Sequence, residues 1–164
     1  MSTQRCAFAR LEGWTAQPEV SFSIFGERGV VDILAWHPER RSLLVVELKT
    51  ELAEVQLLMS KMDQRTRLAA RIARERGWEA RHVACWVILA DGRTNRRRVA
   101  NHRTVLRSKF PADGRAVRRW LRDPVGTIAA LSFLPDVQPR AHKPGIPTAR
   151  RVRQRPEAGD RRAP

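Results

Sequence analysis

Residues 29–49, GVVDILAWHPERRSLLVVELK, constrain the fold more than any other stretch of the chain. Two apolar, β-branched-rich runs, 30–36 and 43–48, flank the polar, proline-containing segment 37–42. Such a pattern predicts strand, turn, strand. Both strands carry charge where a buried strand should not: Asp32 interrupts the first, and Glu47 and Lys49 end the second. Successive strand side chains alternate between faces, so Glu47 and Lys49 share one, and pairing the strands would bring Asp32 opposite it. Two carboxylates and one ammonium would then meet at the edge of an apolar sheet. An ordinary strand-end ion pair, with Asp32 as a cap near the turn, is the plainer alternative. Against it, buried acids are seldom left without a metal or a partner. The chain also carries 28 arginines and four lysines, yet a lysine closes this strand. Arginine keeps its proton, whereas lysine can take part in proton transfer.

The flanking segments predict an α/β domain over residues 1–135, a mixed sheet of four to five strands flanked by helices. Residues 3–12 read as a short helix ended by Gly13. Val20, Phe22 and Ile24 alternate as a half-buried strand, and Gly26-Glu27-Arg28-Gly29 reads as a tight turn into the Asp32 strand. After Lys49 the period becomes helical. Thr50 is the expected N-cap of a helix over 51–76, with Glu51 and Glu54 in its first turns. Leu52, Val55, Met59, Met62, Leu68, Ala69 and Ile72 trace its apolar stripe, and Gly77 stops it. Asp63, Arg65 and Arg67 read as surface ion pairing.

Residues 82–90 are almost continuously apolar, as in a strand buried on both faces. The crossover of about 25 residues makes that strand parallel to the Lys49 strand. Helices over 94–107 and 114–122 and a last strand over 128–134 complete the domain. Residues 136–164 hold eight basic and three acidic residues and little that is large and apolar, so they read as a disordered basic tail.

Thirty-two basic residues oppose 17 acidic ones, giving a net charge of +15 and a pI near 11.6. Such a field attracts polyanions, most plausibly nucleic acid. A GC-rich codon bias explains arginine in place of lysine, but not the excess of base over acid. Arg96, Arg97, Arg98 and Arg103 on the 94–107 helix, with Arg93 and Arg28, are the candidate phosphate contacts, and a solvated basic face is the alternative for such a run. Cys6 and Cys85 make no metal-ligand spacing and suit a reducing, cytoplasmic setting. No apolar run is long enough for a membrane span. There is no Gly-rich phosphate loop, no Ser/His/Asp arrangement and no zinc spacing, and His102 stands without a partner.

Asp32, followed by Glu47-Leu48-Lys49 at the end of the next strand and then a helix, resembles the signature of the PD-(D/E)XK nuclease superfamily. Within it, Gly29-x-x-Asp32-Ile33-Leu34-Ala35 and Val45-Val46-Glu47-Leu48-Lys49 look most like the archaeal Holliday-junction resolvases and small related bacterial nucleases. More narrowly, the run from Glu19 through Gly26-Glu27-Arg28-Gly29 to Arg74 resembles a restriction-endonuclease-like domain found at the C-terminus of actinobacterial helix-turn-helix regulators. The likeness covers residues 13–134. Val31 stands where many members have the proline of "PD". The acid that many carry on an N-terminal helix has no match, its offset falling near Gln4.

The resemblance implies a restriction-endonuclease-like fold and metal-dependent hydrolysis of nucleic acid, most plausibly DNA. Asp32, Glu47 and the Leu48 carbonyl would hold Mg²⁺ or Mn²⁺, with Glu27 or Glu19 as an extra carboxylate. Lys49 would act on the water and the phosphate, and Gln56 would position one of them. A homodimer is compatible with this reading. The rival is a catalytically silent nucleic-acid-binding or regulatory domain.

Overall fold

The computed structural model describes residues 13–135; the 3–12 helix, Cys6 and the 136–164 tail expected from the sequence lie outside the described residues. The protein is α/β. Among the described residues five strands form one mixed sheet in chain order: β1 (Thr15–Ile24), β2 (Glu27–His37), β3 (Ser42–Lys49), β4 (His82–Asp91) and β5 (Ala129–Pro135). β1, β2 and β3 are antiparallel neighbours, whereas β3, β4 and β5 run parallel. The helices are α1 (Val55–Arg74), α2 (Arg93–Asn101), α3 (Arg103–Lys109) and α4 (Gly114–Trp120).

Each face of the sheet carries a core. Cys85, Val87 and Leu89 of β4 join one with Leu43 and Val45, under Leu58, Met62 and Ile72 of α1. Ala84, Trp86 and Ile88 join the other with Leu44 and Val46, under Val117 and Leu121. β4 is therefore buried on both faces, as its unbroken apolar run demands. Burial pushes the Cys85 thiol above its usual pKa, in keeping with a core residue rather than a nucleophile. At the far edge, Gly13 has φ +82, and a Cβ there would stand 2.6 Å from His37 Nε2, so only glycine fits.

Three boundaries differ from expectation. The first hairpin turns at Phe25-Gly26, both with positive φ (51° and 80°), and β2 already begins at Glu27. Two left-handed residues match the twist of the flanking strands, which a turn over 26–29 would not. α1 starts at Val55 rather than at residue 51, because Asn95 Oδ1 accepts the Leu52 N–H (2.9 Å) and holds 51–54 outside the helix. Thr50 is thus no N-cap; Glu54 stands there, without a side-chain cap. The basic helix breaks at His102 into α2 and α3, and inside α2 the buried residue is Asn95. Asn95 Nδ2 donates to the Thr50 and Ala90 carbonyls, each at 2.9 Å, tying α2 to the ends of β3 and β4.

Candidate functional site

Glu47 and Lys49 follow Leu43 and Val45 along β3, on the face that α1 covers. Glu47 is fully buried. Lys49 Nζ lies 2.7 Å from Glu47 Oε1 as an ion pair, and among the described residues Oε1 has no further hydrogen-bond partner. The other oxygen, Oε2, accepts from Arg65 Nη1 of α1.

Asp32 arrives by a local irregularity. Val31, Leu34 and Trp36 face one core while Ile33 and Ala35 face the other, so strict alternation slips at Asp32. The paired ladder between β2 and β3 ends at Ile33–Val46. One step further would set Asp32 across from Glu47, and there the Asp32 side chain takes over the ladder's role: Leu48 N–H donates to Asp32 Oδ2 at 2.7 Å. Burial lowers the Arg65 guanidinium below its ordinary pKa, and the charge of Asp32 acts to raise it, which joins Asp32 to the same cluster. Asp32, Glu47, Lys49 and Arg65 therefore form one group of two negative and two positive charges.

Arg65 corrects the expectation of surface pairing among Asp63, Arg65 and Arg67. Residues two apart on a helix do not face each other. Asp63 pairs with Lys109, Arg67 with Glu27 (2.9 Å), and Arg65 with the buried Glu47. A sequence signal for Arg65 exists: with Leu58, Met62, Leu68, Ala69 and Ile72 buried, it fills a slot of the apolar stripe at the i+3 position from Met62. A charged residue inside such a stripe implies a buried partner.

The remaining candidates are placed elsewhere. Gln56, in the first turn of α1, is exposed and lies about 13 Å along the helix axis from Arg65. Among the described residues no hydrogen bond or ion pair joins it to Asp32, Glu47 or Lys49. Glu27 is held by α1, accepting from Gln64 (3.0 Å) and Arg67, and these bonds lower its pKa. It stands five residues, about 16 Å, along β2 from Asp32. Glu19 is exposed with φ +52, at the gap in the β1–β2 ladder and level with Asp32.

Of the arginines, Arg96 makes a two-pronged pair with Asp91 (2.6 and 2.8 Å), and Arg98 binds Glu51 (2.7 Å) and the Leu52 carbonyl (2.8 Å). Arg28, Arg93, Arg97 and Arg103 are exposed. Arg28 lies on β2, three strands from β5, apart from the α2–α3 surface.

Among the described residues there is no cluster of three or more His, Cys, Asp or Glu side chains arranged for a metal. The site offers two carboxylates, Asp32 and Glu47, both hard oxygen donors. Mg²⁺ commonly binds through one or two carboxylates while keeping several waters. Glu47 Oε1 is buried and faces the Lys49 ammonium at 2.7 Å, so an ion of that kind would fit at these residues by sharing or displacing that ion pair. No helix among the described residues is long and apolar enough to cross a membrane. Comparison with known proteins returns no match to any family model, curated protein or solved structure.

Proposed function

We propose that this protein hydrolyses phosphodiester bonds of nucleic acid, DNA above all, with Mg²⁺ or Mn²⁺ at Asp32, Glu47 and the Leu48 carbonyl. The observation that carries it is the meeting of Asp32, Glu47 and Lys49 at the end of β3, with the buried Glu47 carboxylate paired to the Lys49 ammonium. A divalent ion there would supply charge neutralisation and an acidified water. The chain's own residues do the rest. Arg65 holds one Glu47 oxygen and the Leu48 N–H one Asp32 oxygen, which would leave Asp32 Oδ1 and the Lys49-paired Glu47 Oε1 for the ion. Lys49, one-third exposed, would orient the water and meet negative charge developing on the phosphoryl oxygens. The excess of basic residues attracts the substrate. The setting is the cytoplasm, and a homodimer is compatible with it.

A second reading is favoured by Arg65. Lys49 and Arg65 already neutralise the two acids, which suits a domain that binds nucleic acid without cutting it. Metal-dependent cleavage of a panel of junction, flap, single-stranded and duplex substrates, beside affinity for each, separates the two. On the hydrolase reading Lys49→Ala slows cleavage on the order of 10²–10³-fold and leaves affinity nearly intact. The absence of cleavage by the parent with either metal on every substrate would refute it.

A further inference from the structure

A second feature lies beyond the candidate site, at the β5 edge of the sheet. α2, α3, α4 and β5 enclose an open cleft of about 660 Å³. Its rim carries Arg103, Arg107, Arg115 and Arg118, all exposed, with Arg96 at one end. None of the first four forms an ion pair with a carboxylate among the described residues. Among the described residues that line the cleft the one acid is Asp113, which is turned to the start of α4, where its Oδ1 accepts from the Arg115 and Ala116 N–H groups at 2.9 Å. The wall between the arginines is apolar: Val99, Leu131 and Phe133 are each half-buried.

Position ties the cleft to Lys49. Lys49 pairs with Leu89, and Leu89 with Phe133, so the cleft begins two strand spacings, about 10 Å, from Lys49. Leu89 belongs to the core under α1 and Phe133 packs against it, the face that Glu47 also occupies. The Arg96 guanidinium stands over the Phe133 ring at 4.9 Å and marks the passage between the two places.

We propose that this cleft binds a single strand of nucleic acid and leads it to Lys49; the leading rests on the hydrolase reading, while occupancy of the cleft does not. Four exposed arginines without an ion-paired carboxylate among the described residues, one of them (Arg107) also donating to the Pro111 carbonyl, stand around a single acid and call for a polyanion. The apolar wall calls for more than phosphate. Unpaired bases can bury a face there, whereas a duplex keeps its bases stacked inside and would leave Val99, Leu131 and Phe133 uncovered. The volume falls within the usual range for small ligand sites, about 300–1,000 Å³, which suits one or two nucleotides and not a double helix. The 136–164 segment, with eight basic residues against three acidic, has the wrong sign to fill it.

The test is fluorescence anisotropy of the full chain in EDTA, so that cleavage plays no part. The probes are a labelled oligothymidylate, the same strand in a duplex, and an abasic strand of equal charge. The single strand should bind more tightly than the duplex, and the abasic strand at least about fivefold more weakly than the oligothymidylate. Arg103→Ala with Arg115→Ala should reduce the salt slope on the single strand by about 1.4, from about 0.7 per lost phosphate contact. The lysine pair at the same positions should keep the slope. Arg74→Ala with Arg81→Ala, exposed residues at the opposite end of the parallel strands, should leave it unchanged.

Equal affinity for the abasic strand, tighter binding of duplex, or an equal slope loss in the Arg74/Arg81 variant would overturn the proposal. The comparison of probes uses the parent protein, so no variant's folding bears on it. Binding with no cleavage under any metal would remove the hydrolase reading and leave the cleft. Cleavage with unaltered binding by the Arg103/Arg115 variant would remove the cleft and leave the hydrolase.

Discussion

Arg65→Ala is the most informative single change. The side chains of Glu47 and Arg65 retain only 1% and 11% of their surface, so the pair is buried in the sense that matters for desolvation. Deleting one member of a buried pair typically costs about 3–5 kcal/mol, because the other charge is left without compensation. Here Lys49 remains 2.7 Å from Glu47 and keeps partial contact with solvent. The expected loss therefore sits at the lower end, about 3 kcal/mol. Replacing both partners by apolar residues, as in Glu47→Leu with Arg65→Met, removes the desolvation burden along with the attraction. That double variant should recover most of the loss.

Urea denaturation followed by tryptophan fluorescence, extrapolated linearly, gives the cost of Arg65→Ala and, with the parent, Glu47→Leu, Arg65→Met and the double variant, the four corners of the cycle. A cost below about 1 kcal/mol for Arg65→Ala, in the range of exposed pairs, would show that Arg65 is not the counter-ion of Glu47. So would a double variant as unstable as the sum of the single ones.

Three further outcomes are expected. Glu27, Asp91 and Asp113 all have lowered pKa values, from the Arg67 side chain, the Arg96 side chain and the Ala116 N–H respectively. Their contributions are present above the unfolded values near 3.8–4.5 and are lost as pH falls through the depressed folded ones; thermal unfolding against pH should decline below that range, and Glu27→Gln with Asp91→Asn should flatten the decline. Gly13→Ala forces a side chain into left-handed backbone against His37 and should cost about 1–3 kcal/mol in a denaturation curve. Asn95→Ala strands the Leu52 N–H and removes a donor from the Thr50 and Ala90 carbonyls, so a loss of about 2–3 kcal/mol is expected; full stability in Asn95→Ala would show that residues 50–52 find other partners.

Local pattern was enough for much of this protein. The continuous apolar run of β4, the alternation of Val20, Phe22 and Ile24, and the 3.6-residue stripe of α1 each follow from burying apolar surface on a fixed backbone period. Charge at the end of an apolar strand likewise singled out Glu47 and Lys49, since a charged side chain there needs a partner. Tertiary structure decided what those charges meet. No spacing along the chain relates Arg65 to Glu47, 18 positions apart, because the crossover between strand and helix sets their approach. Alternation alone could not place Asp32: counted from Val31 it falls on one face and from Leu34 on the other, and the slip in the strand resolves the conflict through the Leu48 N–H. The start of α1 was likewise set at a distance, by a buried asparagine in an arginine-rich helix. Hydrophobic periodicity is a property of neighbours in sequence, whereas a buried charge or amide is satisfied by whatever the fold brings beside it.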